Sequence, residues 1–226
     1  MQNFSAWAAL PALVFSVAAF AQSPAPLTFD QYKDADELWA HLSELKRGPG
    51  HKFTSPEEAQ SFLARIKAAT LEFIKRYPKD PRRWEARMMN AQAAAVLVQI
   101  SGGQATGSQQ EAIFHEIVEA PDAPPQVKTE ARFGLIQIHL VAALAAGSLN
   151  PALETEIAAF KGDYPNDLRA GALDMMRVKF YEKSDPPKAR ALLRELAKSK
   201  NPQVAAQARQ KLKENASPEA TQPKFR

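Results

Sequence analysis

FIKRYPKDPRRWEARMM, residues 73–89, returns in outline as FKGDYPNDLRAGALDMM, residues 160–176. Laid over one another without a gap, Phe73, Tyr77, Pro78, Asp80, Arg82, Met88 and Met89 meet Phe160, Tyr164, Pro165, Asp167, Arg169, Met175 and Met176. In each copy an amphipathic helix runs up to an aromatic residue. The proline that follows cannot easily extend that helix, and it biases the residue before it away from the α region. Asp80 or Asp167 then accepts from free N–H groups and caps the next helix. In the first copy Pro81 falls at the first helical position, where a missing N–H costs little. Helix, aromatic, proline, capping aspartate, helix is the corner of an antiparallel helix hairpin. Its recurrence predicts an all-α fold that stacks similar hairpins, an α-solenoid of about nine helices.

Working outward, a first helix is expected over 34–47, with Leu38, Trp39, Leu42 and Leu45 on one face. Gly48-Pro49-Gly50 stops it. Ser55, Pro56 and Glu58 form a capping box for a long helix ending at Tyr77. The partner helix starts at Asp80 and runs through Trp84 and Met88 to Ile100. A glycine-containing loop, 101–108, precedes a short helix capped by Ser108. The most apolar helix of the mature chain, 126–147, follows; Gln137 and His139 within it argue against a membrane span. Asn150, Asp185 and Asn201, each followed by proline, open three further helices. A second echo, Pro125-Gln126-Val127 with Leu135 against Pro202-Gln203-Val204 with Leu212, divides the helical domain 34–214 into possible units 55–147 and 150–214.

Residues 1–21 read as a secretory signal. Positions 7–21 are apolar and small, Ala19-Phe20-Ala21 fits a cleavage site, and Gln22 becomes the mature start. The segment has no Lys or Arg, so the amino terminus supplies its positive charge; retention as an anchor is the alternative. Its apolar run falls short of the ~20 residues of a membrane span. A linker covers 22–33, and a polar tail, 215–226, is expected to be disordered. The chain is therefore expected to be exported to a bacterial periplasm or exterior, with no stable span after cleavage. It contains no cysteine, which excludes disulfides, Cys-based zinc sites and thiol chemistry. A net charge of +4 points to solubility rather than to nucleic acid.

No catalytic, metal or cofactor signature emerges. Glu37/His41 and Glu111/His115 stand one helical turn apart, which suits surface ion pairs; two such residues alone do not make a zinc site. His51 lies in a loop, and His139 reads as a hydrogen-bonded core residue. Gly102 to Gly107 has phosphate-loop spacing but lacks the following Lys and the preceding strand. Lys75, Arg76, Lys79, Arg82, Arg83 and Arg87 gather at the first corner, either as an anion-binding patch or as a solvated face. Trp84 with Met88 and Met89, and Met175 with Met176, serve as core or line a peptide groove. Arg76, Arg83 and Trp84 are the candidates for a binding surface. Arg82 and Arg169 are expected to pair with nearby carboxylates or carbonyls and so fix the corners.

The Tyr-Pro corner with its capping aspartate resembles exported bacterial repeats of the tetratricopeptide (TPR-like) type. More narrowly, ELWAHLSELKRGP (37–49), the corner at 77–88 and AAQARQKLKE (205–214) resemble the helical region that precedes the thioredoxin-like domain of secreted bacterial thiol-disulfide oxidoreductase-type proteins. In that family a Cys-x-x-Cys motif in the following domain carries the chemistry. The sequence has no cysteine and ends at Lys224-Phe225-Arg226, about where such a domain would begin, so the resemblance does not carry redox activity here. What it implies is an exported, non-enzymatic module with no cofactor that binds a protein or peptide. The alternative is an accessory part of an extracytoplasmic thiol-disulfide system.

Overall fold

The computed structural model describes residues 28–215, apart from 103–106 and 166. The signal segment, residues 22–27 of the linker and nearly all of the tail lie outside the described residues, as do residues 103–106 of the glycine loop. Among the described residues there are nine helices and no strand: α1 (Ala35–Arg47), α2 (Pro56–Arg76), α3 (Arg83–Ile100), α4 (Gly107–Glu119), α5 (Pro125–Ala146), α6 (Pro151–Asp163), α7 (Leu168–Ser184), α8 (Pro186–Leu196) and α9 (Pro202–Glu214).

The helix starts follow local chemistry. Asp34 accepts from the N–H groups of Asp36 and Glu37, both at 2.9 Å. Asn150 accepts from Leu153 at 2.8 Å, Asp185 from Lys188 at 3.1 Å, and Asn201 from Gln203 at 3.0 Å. Proline occupies the first helical position of α2, α5, α6, α8 and α9, with φ already set for the helix. Ser55 caps α2 by accepting from the Glu58 N–H. The Glu58 carboxylate, however, reaches past the cap residue to accept from Thr54 N at 2.6 Å and Thr54 Oγ1 at 2.7 Å. Two further starts differ from expectation. Pro81 and Arg82 form a turn, so α3 begins at Arg83, and α4 begins at Gly107, which places Ser108 inside the helix. α5 ends at Gly147 with φ +65°, where the Ser148 N–H donates to Ala143 O at 3.1 Å, a left-handed cap that suits glycine.

Consecutive helices pack against one another along the whole chain, and α3 with α5, α5 with α7 and α7 with α9 also touch. The apolar core is correspondingly a series of overlapping clusters. Leu38, Leu42, Leu63, Ile66 and Phe73 join α1–α3. Phe114, Ile117, Ala131 and Leu135 join α4 and α5, with Trp84 and Met88 from α3. Ile136, Leu140, Ile157, Phe160 and Leu173 join α5–α7. Val178, Leu193, Val204 and Ala208 join α7–α9. Two glycines permit close helix contacts. A Cβ on Gly134 would stand 2.3 Å from Phe114 Cε2, and one on Gly171 would stand 2.5 Å from Val204 Cγ2.

No described helix is long and apolar enough to cross a membrane. α5, the most apolar in the sequence, presents Val141, Ala142, Ala145 and Ala146 outward while Leu140 is fully buried.

Candidate functional site

The two corners have the same geometry. The Tyr77 N–H donates to Phe73 O, and the Tyr164 N–H to Phe160 O, both at 2.9 Å. The Asp80 N–H donates to Tyr77 O, and the Asp167 N–H to Tyr164 O, both at 3.1 Å. Backbone angles at the aromatic residue agree closely: φ −125°, ψ 59° at Tyr77 and φ −130°, ψ 60° at Tyr164. Each tyrosine packs on the fully buried phenylalanine one turn earlier, with ring centroids 5.4 Å and 4.9 Å apart.

Each aspartate is then clamped by the arginine two residues on. Asp80 Oδ1 accepts from Arg82 N at 2.8 Å and from Arg82 Nε at 2.9 Å, and Oδ2 accepts from Nη2 at 2.7 Å. Asp167 repeats this with Arg169 at 2.9, 2.9 and 2.6 Å. A planar guanidinium fits a carboxylate through two parallel bonds, which no lysine can do. Both aspartates are held below the usual carboxylate range, chiefly by these side-chain bonds.

The surroundings of the two corners differ. Arg82 also pairs with Asp36 at 2.7 Å and covers the rings of Trp39 and Phe73, tying the first corner to α1. At the second corner the covering cation comes from α5: Arg132 lies over the Tyr164 ring at 5.6 Å and pairs with Asp163 at 2.9 Å.

The cations of the first corner are mostly engaged within the chain. Arg76 bonds Glu72 at 2.6 Å and the carbonyls of Phe29 and Tyr32 at 3.2 Å. Arg83 pairs with Asp122, and Arg87 with Glu116. Both also lie over the ring of Trp84, at 4.6 Å and 5.3 Å. Trp84 itself is 6% exposed. Of the three candidate surface residues, Trp84 is therefore a packing residue between α3 and α4, and Arg76 and Arg83 serve as internal ties. Lys75 and Lys79 remain exposed beside the corner. Met88 and Met89 are buried, and Met175 and Met176 are half-buried.

The histidines occupy four different settings. His139, on α5, is half-buried between two helices: Nδ1 lies 3.1 Å from Glu156 of α6 and Nε2 lies 3.2 Å from Glu111 of α4. Burial alone would depress its pKa; the two carboxylates outweigh that and raise it. Because they lie on opposite sides of the ring, they do not converge on one point as metal ligands must, and the described residues contain no group able to hold a metal. His115 stands 4.0 Å from Glu111, one helical turn away. His41 stacks on Tyr32 at 5.0 Å, while Glu37 accepts from the Lys33 N–H. His51 bonds Pro49 O at 3.0 Å and Glu58 at 2.7 Å, and this pairing, together with the two Thr54 bonds, takes the Glu58 carboxyl down to about 2.

A cavity of about 360 Å³ opens between the end of α1 and α2, lined by His41, Glu44, Leu45, Pro49, Phe62 and Arg65, together with Gly48 and His51. It contains no nucleophile beside a base and no pair of carboxylates. Sequence reasoning missed two groupings. One is this cavity. The other is an ion cluster on α6–α8, in which buried Asp174 is held by Lys161 at 2.5 Å and Arg177 at 2.9 Å. Glu154 in turn accepts from Arg177 and from the Tyr181 hydroxyl. The only signal for it in sequence is a set of charged residues at helical spacings, which cannot reveal which helices face each other.

Comparison with family models, with curated proteins and with solved structures gives no match.

Proposed function

We propose that the chain is an exported, non-enzymatic interaction module of the TPR-like type, in which stacked hairpins present a surface to a protein or peptide partner. The observation that carries this reading is the twice-built corner, with matching backbone angles and the same Asp–Arg clamp on each side of α5. A repeated hairpin whose polar groups are spent on holding its own corner leaves its function to its surface. Contacts among α3, α5, α7 and α9 support a solenoid in which these helices form one row. Val98 and Val141 are exposed at 38% and 58% on α3 and α5, helices that touch. We place the partner-binding surface there.

The test is capture of partners by the mature form, 22–226, followed by titration calorimetry with the purified candidate. A one-to-one complex that V98D and V141D each weaken by tenfold or more supports the reading. Saturable turnover of a substrate by the pure protein would overturn it, as would a complex indifferent to both substitutions. The resemblance of α1, the first corner and α9 to the helical region of thioredoxin-like proteins supplies the second reading, an accessory to a thiol-disulfide system. A captured partner bearing Cys-x-x-Cys selects it.

A further inference from the structure

The charge of this chain is unevenly placed. Residues 28–176 carry sixteen Lys and Arg against twenty Asp and Glu, whereas residues 177–215 carry eleven against four. The mild net charge of the whole conceals a cationic end built from the last turns of α7, from α8 and from α9.

Part of that charge is neutralised locally. Lys211 pairs with Glu182, Arg177 with Asp174 and Glu154, and Lys188 lies 4.0 Å from the Tyr181 ring centroid. Asp185 is spent on capping α8, and Glu214 accepts from Gln210. On the outward side of α8 the balance is different. Ala189, Leu193 and Leu196 face the core, which turns Arg190 and Arg194, one helical turn apart, away from it, and Lys198 follows in the turn after the helix. All three are exposed, as is Lys200 beyond the helix end, and none pairs with a described carboxylate. Glu195 is the one acid on that side. Lys179 and Lys183 on the adjacent α7 are likewise exposed and unpaired.

We infer that the outward face of α8 with the turn that follows it, carrying Arg190, Arg194, Lys198 and Lys200, docks on an anionic lipid surface. Its features favour a bilayer over other polyanions. Phe180 and Tyr181 are buried, so no aromatic ring on these helices is free to stack on bases. The cations sit on long flexible stems along α8 and the turn after it, which suits a plane of headgroups better than an extended peptide. Leu168, at the far end of α7, is the one large apolar side chain exposed on α7–α9, so attachment is electrostatic and peripheral.

Vesicle co-sedimentation of the full chain tests this, with phosphatidylglycerol in phosphatidylcholine against phosphatidylcholine alone. The variant is R190Q/R194Q/K198Q/K200Q; both proteins keep the apolar residues 1–21, so their difference reports the face. Each cation near an anionic bilayer contributes about fivefold in partition, so the variant, which loses four, should bind roughly 600-fold more weakly. Wild-type binding should also fall steeply as ionic strength rises from about 0.01 M to about 0.15 M. Equal sedimentation of the two proteins, or equal binding to neutral vesicles, overturns the inference. So does tighter binding of wild type to duplex DNA than to the anionic vesicles at the same salt. A lowered melting temperature of the variant would show that these side chains hold the fold and would likewise overturn it. None of these outcomes depends on capture of a protein partner, which V98D and V141D test separately.

Discussion

Replacing Asp174 by alanine should be the most damaging single polar substitution in the second half of the chain. The carboxylate lies on α7 with its side chain 5% exposed, and each oxygen has its own cation: Lys161 Nζ at 2.5 Å and Arg177 Nη1 at 2.9 Å. Removing one partner of a buried ion pair costs about 3–5 kcal/mol, because the remaining charge stays desolvated. Two features place Asp174 at the low end. The Lys161 side chain is 40% exposed and can return to water, and Arg177 keeps Glu154. Arg177 is the group that suffers, since its side chain is 16% exposed and its Nε is already buried without a partner. A loss of about 3 kcal/mol follows. For a domain of this size that is a fall in melting temperature of roughly 6–12 °C. Urea and thermal unfolding followed by circular dichroism at 222 nm measure both quantities. Asp174→Asn, which keeps an acceptor but not the charge, should fall between the wild type and Asp174→Ala. A loss below about 0.5 kcal/mol, the range of ordinary surface substitutions, would refute the reasoning. It would mean that the cluster is solvated and that α6 is held on α7 by its apolar side chains alone.

Gly171→Ala should destabilise by about 1–3 kcal/mol, because its Cβ meets Val204 at 2.5 Å, and Val204→Ala in the same chain should recover part of the loss. Stability should depend on His139 with a definite sign. Its folded pKa lies above 6.5, so the contribution is fully present below about pH 6.5 and is lost as pH rises through the folded value. Unfolding midpoints of wild type and His139→Gln should therefore converge at alkaline pH; a gap that widens there would contradict the clamp between Glu111 and Glu156. Arg82→Lys should cost more than Arg169→Lys in thermal melts, because Arg82 also holds Asp36 and covers Trp39. Equal losses would show that the tie to α1 adds nothing.

Most helix ends were legible because they are set by groups within four residues. Asp34, Asn150, Asp185 and Asn201 are capping residues whose oxygen finds its N–H donors in the next turn, and the proline after the last three suits the first helical position. The corners were legible for the same reason, since Arg82 and Arg169 reach aspartates two positions away. One start was misplaced although its hydrogen bonds repeat those of the second corner: Asp80 accepts from the Arg82 N–H as Asp167 does from Arg169, yet α3 begins at Arg83 and α7 at Leu168. Glu58 finds Thr54 rather than Ser55 without moving the start of α2.

The candidate binding residues show the opposite case. Arg83 and Arg87 read as a cationic patch in sequence because Asp122 and Glu116, their partners, lie 39 and 29 positions away on the next hairpin. Trp84 reads as either core or surface until α4 is seen to cover it. The sequence by itself determined an all-α chain, the places where its helices begin, and the twofold recurrence of one corner, all products of short-range hydrogen bonding and φ restriction. Only the tertiary structure decided which charges neutralise each other: His139 between α4 and α6, Asp174 between Lys161 and Arg177, and the cations of α8 left without a carboxylate partner. Those pairings depend on which helix faces are brought together, and the spacing of residues along one chain does not contain that information.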